Sequence, residues 1–215
     1  MQARGLFLTV EGGEGVGKST NITYLAEQLQ HQGVELVVTR EPGGTEVAES
    51  IRQVLLEVRD ETVGGLTELL LMFAGRAQHI EKVIEPALSA GKWVLCDRFT
   101  DATYAYQCGG RGVRTSLVRQ LEQIVQGQLR PDYTLLLDAP IDTGMARAKG
   151  RGELDRFERE DLAFFQRVRD AYLRLAQESS GRFHVIDASL SLPEVQGTID
   201  KICMELLECW GVRQP

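Results

Sequence analysis

Five short runs along the chain are apolar at nearly every position: residues 6–11, 35–39, Trp93–Asp97, Tyr133–Asp138 and Phe183–Asp187. A strand with one face in water alternates apolar and polar side chains, whereas an unbroken apolar run suits a strand covered on both faces. Between successive runs the sequence is helix-like instead. Strand–helix alternation implies right-handed crossovers and a parallel sheet, so the pattern predicts a three-layer α/β fold.

The connection between the second and third runs, residues 45–91, is unusually long. Its segment LTELLLMFAGRAQHIEKVIEPALSAG has helical periodicity and ends on a glycine stop signal, which predicts a helical region facing a substrate. Residues 147–160 are dense in both signs of charge and contain Gly150 and Gly152, and they are expected to form a mobile flap. Without repeats, low-complexity stretches or linkers, residues 1–215 are expected to form one domain.

Composition narrows the partners. With 215 residues, 43% hydrophobic and 26% charged, there is material for one well-buried core. The formal charge of −7 argues against a general nucleic-acid surface, so a polyanionic ligand must be met by locally clustered cations. Cys96, Cys108, Cys203 and Cys209 include no C-x-x-C pair and no zinc-ligand spacing with histidine, which suits thiols in a reducing compartment. No apolar stretch approaches the roughly 18 residues of a membrane helix, and no leader-like segment precedes the first run. The expectation is a soluble cytoplasmic protein with no membrane or nucleic-acid partner.

The stretch GGEGVGKST follows the first run directly. Gly12, Gly17, Lys18 and Ser19 satisfy G-x-x-x-x-G-K-[ST], between a strand and a helix, where backbone N–H groups and a helix N-terminus can cradle phosphate oxygens. Residues Gly12, Gly13, Glu14, Gly15, Val16, Gly17, Lys18, Ser19 and Thr20 are therefore expected to hold the phosphates of a nucleotide. Lys18 would reach the outer phosphates and Ser19 would bind Mg²⁺. Glu14 is awkward in a loop built for an anion unless it turns toward a hydroxyl or cation of a second substrate.

A second constellation follows the third strand, in WVLCDRFTDATYAYQ. Asp97 and Asp138 both end buried runs, and position alone leaves both as candidates for the Mg²⁺ shell. Arg98, next to Asp97, favours Asp97 because it adds a cation suited to a second phosphate at the same mouth. Thr103, Tyr106 and Gln107 stand at i, i+3 and i+4 on one face of a short helix, while Phe73 and Arg76 are likewise i, i+3. An aromatic face with a guanidinium and an amide would suit a planar base.

Together, EGGEGVGKST, TREPGGT, LLLMFAGRAQHI, DRFTDATYAYQ and AKGRGELDRFERE make the chain resemble the bacterial thymidylate kinase family over roughly three quarters of its length, with TREPGG the most specific element. The resemblance implies a three-layer P-loop NTPase fold, a five-stranded parallel sheet flanked by helices with a mobile lid. The implied activity is transfer of the γ-phosphoryl group of ATP to dTMP with Mg²⁺. It also implies that Phe73 stacks on thymine, that Arg76, Thr103 and Gln107 address its polar edge, and that Arg98 holds the acceptor phosphate. Glu14 would approach the deoxyribose, Tyr106 would pack near it, and Arg40 with the segment to Gly44 would shape the acceptor site.

Because the phosphate loop has no basic residue among its variable positions, the chain resembles the type whose catalytic arginine lies on the lid. Arg151, between two glycines, is the expected transition-state cation beside Lys18 and Arg98. Arg147 would cover the adenine, and Arg156 would be held in local ion pairs by Asp155 and Glu158. Phe157 stands where some relatives have tyrosine. Homodimers through helices are common in the family. A kinase for another nucleoside monophosphate or small phosphate acceptor would keep the mechanism and change the pocket. A guanine-nucleotide switch protein would need an N-K-x-D sequence, which the chain lacks.

Overall fold

The computed structural model describes residues 4–149, 155–179, 181–209 and 211. Its strands are β1 (Phe7–Gly12), β2 (Leu36–Arg40), β3 (Trp93–Asp97), β4 (Tyr133–Asp138) and β5 (Phe183–Asp187). All are parallel, in the order β2-β3-β1-β4-β5, with Thr9 of β1 level with Cys96 on one side and Thr134 on the other. The helices are α1 (Lys18–His31), α2 (Glu46–Leu56), α3 (Gly65–His79), α4 (Glu85–Ser89), α5 (Thr100–Thr103), α6 (Thr115–Val125), α7 (Ile141–Lys149), α8 (Leu162–Glu178) and α9 (Leu192–Cys209).

Alternation along β1 assigns the layers. Leu6, Leu8 and Val10 pack with Leu25 and Leu29 of α1 and with Ile199 and Leu206 of α9. Phe7 points the other way, into a cluster with Ile80, Ile84 and Phe99, and Tyr172 of α8 reaches Glu11 on this same side. Fully buried Thr9 shares a 2.8 Å hydrogen bond with Thr134 of β4, and Arg182 donates to that threonine and to Asp101. The opposite side of β1 is thus apolar, whereas this one carries Thr9 and Glu11 toward the site.

The expected strands are all present, with β1 and β2 each shifted by one residue. Their covering differs from the expectation: β1, β3 and β4 are buried, but the edge strands β2 and β5 leave Val38 and Val185 about half exposed. An edge strand lacks a neighbour on one side, so apolar composition alone overstates its burial. The long connection is helical as expected, with a π-helical stretch, Ile80–Ile84, carrying α3 directly into α4. A second, Tyr104–Gly110, extends α5.

In the strand order, β1 lies between β3 and β4, so connections diverge from its C-terminal end and leave a crevice there. That is where a doubly wound sheet holds its ligands.

Candidate active site

The loop from Gly12 to Lys18 occupies this crevice. Gly12 and Gly17 have φ of 142° and 86°, values that side chains resist, and a Cβ on Gly12 would sit 2.3 Å from the Leu137 carbonyl oxygen of β4. Val16 turns its side chain into the core, so its backbone is what it can offer a ligand. Ser19 and Thr20 are exposed at the start of α1. Lys18 folds over the loop, its Nζ donating to the carbonyls of Gly13 at 2.7 Å and Gly12 at 3.3 Å. Loss of water there, and then the Arg98 guanidinium, push the Lys18 ammonium down to about 8.

The two strand-end acids separate cleanly. Arg169 of α8 donates to both oxygens of Asp138, at 2.7 and 2.8 Å. Asp97 instead keeps a buried Oδ1 with no hydrogen-bond partner among the described residues, and it lines one opening with Ser19. A free carboxylate oxygen beside a hydroxyl fits Mg²⁺, which takes one or two protein oxygens and completes its shell with phosphate and water.

Arg98 links this end of the cleft to the next. Its φ is 66°, the left-handed region, which is strained for any residue with a side chain. From there the guanidinium donates to the Gly12 carbonyl at 2.9 Å and to Glu14 at 2.7 Å, and it lies 4.8 Å over the Tyr106 ring. Tyr106 also donates to Glu14, at 2.6 Å. The loop acid therefore addresses Arg98 and Tyr106, both of which line the adjoining cavity. Behind them, Glu11 accepts from the Phe99 N–H and from the Tyr172 hydroxyl, both at 2.7 Å. Burial, and then the charge of Asp101, push Glu11 up to about 8. By holding the N–H that follows Arg98, Glu11 braces the left-handed turn.

The adjoining cavity is lined by Glu41, Pro42, Arg52, Met72, Arg76, Phe99, Thr103, Tyr106, Gln107 and Phe157, among others. Thr103, Tyr106 and Gln107 share it although the helix changes there from α to π hydrogen bonding. Arg76 is 3% exposed, and its Nε donates to Glu41 at 2.7 Å while Nη2 donates to Thr103 at 3.0 Å. Its Nη1 is buried with no partner among the described residues.

His79 meets Glu41 at 3.0 Å and Thr39 at 2.7 Å, tying the TREPGG segment to α3. The last glycine of that motif has a direct reason: a Cβ on Gly44 would lie 2.4 Å from the His79 ring.

Two expected residues are not brought to this cavity wall. Arg40 opens onto the neighbouring cleft with Ser19 and Asp97 and is held by Glu49 at 2.9 Å, while the next two residues of its segment, Glu41 and Pro42, line the cavity. Arg52 of α2 takes the expected basic position there, with its Nη1 donating to the Pro42 carbonyl. Phe73 is 2% exposed, packed with Leu69 and Val118, and its ring lies 4.7 Å from the Arg76 guanidinium. In this form it supports the arginine from behind and presents little surface to a ligand.

The expected flap is divided. Residues 150–154, and with them Arg151, lie outside the described residues. Arg147 on α7 donates to the Ala188 carbonyl beyond β5, at 2.8 Å. Residues 155–160 are docked rather than free, since Arg156 donates to the Leu55 carbonyl and to Glu68, each at 2.7 Å, and Phe157 is buried. The local ion pairs expected for Arg156 give way to this long-range pairing because Glu68, fully buried on α3, offers a carboxylate with no water to satisfy it. Glu11, Glu68, His79, Arg52 and Tyr172 were not singled out by the sequence reading, and Glu41 entered it only within the segment from Arg40 to Gly44. Only Glu11 carried a local signal, an acid inside an otherwise apolar strand.

A family model described as thymidylate kinase matches residues 10–199. A thymidylate kinase of Ectopseudomonas mendocina is 58% identical over 208 residues, covering 96% of this chain and 99% of its own. One of Pseudomonas syringae pv. tomato is 57% identical over 204 residues, covering 95% and 97%. The crystal structure of thymidylate kinase from Ehrlichia chaffeensis superposes with a TM-score of 0.74 at 35% identity, covering 93% of this chain and 98% of that one.

Proposed function

The chain belongs to the thymidylate kinase family, a nucleoside monophosphate kinase converting dTMP to dTDP with ATP, and from that premise we propose how its cleft divides the work. The loop 12–20 receives the phosphates of ATP, with Lys18 leaving its own loop carbonyls to meet the outer ones and Arg147 lying toward the adenine. Ser19 and Asp97 hold Mg²⁺, which when bound neutralises charge on the phosphoryl oxygens. Arg98 takes the phosphate of dTMP. Arg151, by the family resemblance, is the cation that the lid brings to the transferring group.

The observation that carries this reading is the reach of Arg98. One guanidinium bonds the phosphate loop and also lines the second cavity. A dianionic acceptor phosphate, with a second pKa of about 6, needs no general base near neutral pH. It needs alignment and neutralised charge, which Arg98 and Lys18 supply.

The base end is polar in a particular sense. Arg76 Nη1 is a donor with no partner among the described residues, and Gln107 directs its Nε2–H to Glu68 at 2.8 Å, leaving Oε1 as an acceptor for the cavity. Donor beside acceptor complements the O4 and N3–H of thymine and opposes the N4–H₂ and N3 of cytosine. Tyr106 and Glu14 sit toward the sugar.

The exposed Leu66 and Leu70 of α3 and Ile124 of α6 support a homodimer through helices. The four free cysteines support a reducing, cytoplasmic setting. An ADP-release assay across dTMP, dUMP, dCMP, AMP and GMP tests the assignment of the pocket. dTMP should exceed dCMP and the purine nucleotides by orders of magnitude in kcat/KM, and equal use of dCMP would refute the donor–acceptor reading.

A further inference from the structure

Glu68 lies in the first turn of α3, fully buried. Two donors bond it and a third group, a cation, faces it. Gln107 Nε2 donates to Oε1 at 2.8 Å, Arg156 Nη2 donates to Oε2 at 2.7 Å, and Arg111 Nε stands 3.5 Å from Oε1. Arg111 is held in place by Glu160 at 2.6 Å and by the Phe164 ring, 4.8 Å from its guanidinium. The carboxylate is an acceptor only, so whatever group of Gln107 faces it must be the N–H₂. A free glutamine amide can present either end to a ligand; this one is committed.

We infer that Glu68 is a positioning residue for pyrimidine specificity: it fixes the direction of the Gln107 amide and thereby sets the acceptor that the cavity shows to N3 of the base. The inference rests on the reading of Gln107 and Arg76 as the base-recognising pair. It adds the reason that pair has one polarity and not its mirror image. Arg156 and Arg111 enforce it, because two guanidinium groups stabilise Glu68 as a carboxylate with only lone pairs to offer.

The neutral isostere reverses the logic. In E68Q the new carbonyl is drawn to Arg156, the stronger donor, which turns the new amide N–H₂ toward position 107. Gln107 must then accept with Oε1, and its Nε2–H₂ swings to the base. A donor meets the N3–H of thymine, whereas the N3 of cytosine finds a partner. Dissociation constants of dTMP and dCMP, measured by calorimetry on wild type, E68Q, Q107L and the exchanged pair E68Q/Q107E, read this directly.

In E68Q the preference for dTMP over dCMP should shrink by about tenfold or more, the scale of one buried unpaired hydrogen-bonding group, with ATP affinity unchanged. In the exchanged pair the carboxylate placed at position 107 accepts from the amide placed at position 68 and again shows an oxygen to the base, so the preference should return. Merely structural damage by E68Q would not be repaired by a second substitution. An unchanged preference in E68Q, or no recovery in the exchanged pair, while Q107L does alter the preference, overturns the role of Glu68 alone. An unchanged preference in Q107L overturns both that role and the reading of the base pocket beneath it.

Discussion

In the assignment proposed, the two ends of the cleft hold their ligands by different means. At the phosphate end nine consecutive residues, 12–20, form one strand–helix junction, and most of what they offer is backbone. At the base end the working side chains come from α3, α5 and the π-helical stretch after it; Arg76 and Gln107 are aimed by the buried acids Glu41 and Glu68, and at the hinge between the ends Arg98 is aimed by the half-buried Glu14. Phosphate is the same in every nucleotide, so a local cradle suffices. A base is distinguished by the order of its donors and acceptors, and holding a matching order requires side chains with fixed directions, which only a satisfied buried network provides.

Three experiments bear on that contrast. The largest effect is expected at the phosphate end, where a single side chain reaches the transferring group: Lys18→Ala should lower kcat by roughly 10²-fold or more while the thermal midpoint stays near that of the wild type. Single-turnover rates retaining most of the wild-type value would show that the loop backbone does the work unaided. At the base end Arg76→Ala should raise KM for dTMP by about tenfold or more and leave KM for ATP nearly alone. Lysine at 76 should rescue poorly because it cannot bond Glu41, Thr103 and a carbonyl from one plane. Equal losses for both substrates would mean that the two ends are not separable.

The smallest effect is a proton. Lys18, folded onto its own loop, is pushed down to about 8 by lost hydration and then by Arg98, and bound phosphates stabilise its charged form and so raise it. Near pH 8 the empty enzyme is partly deprotonated there, so ATP binding should take up a fraction of one proton. At pH 6.5 the lysine is already charged and contributes none. Calorimetry of ATP binding in buffers of different ionisation enthalpy measures the difference, and Lys18→Ala should abolish it. Proton release at pH 8, or uptake that persists in the variant, would place the titrating group elsewhere.

The same contrast explains what could be read from the chain beforehand. The five strands and the phosphate loop are local: an apolar run or a fixed spacing of glycine, lysine and hydroxyl carries its meaning within ten residues. Arg76, Thr103, Tyr106 and Gln107 were visible as helix faces, and the family resemblance gave them roles. Their supports were not visible. Glu68 carries no sign of burial until α3 meets Gln107, and Arg156 looks like part of a solvated flap until its carboxylate partner, 88 residues away, is in place. Burial of a charge is a property of the assembled fold, and sequence spacing does not encode it. Within the TREPGG segment Glu41 and Pro42 face the cavity and Arg40 the cleft beside it, a division of side-chain direction that the motif does not encode.

The left-handed backbone at Arg98 carries a further implication, for redesign. A non-glycine residue in that region costs about 1 kcal/mol or more, and the cost is borne at the side chain that joins the two ends of the cleft. Glycine would remove the strain and the cation together. Strain and the cation proposed to hold the acceptor therefore share a single Cα, together with that cation's bonds to Gly12 and Glu14. A thermostability optimisation guided by backbone preference would choose glycine at position 98, relieving that strain in a protein no longer able to hold its acceptor.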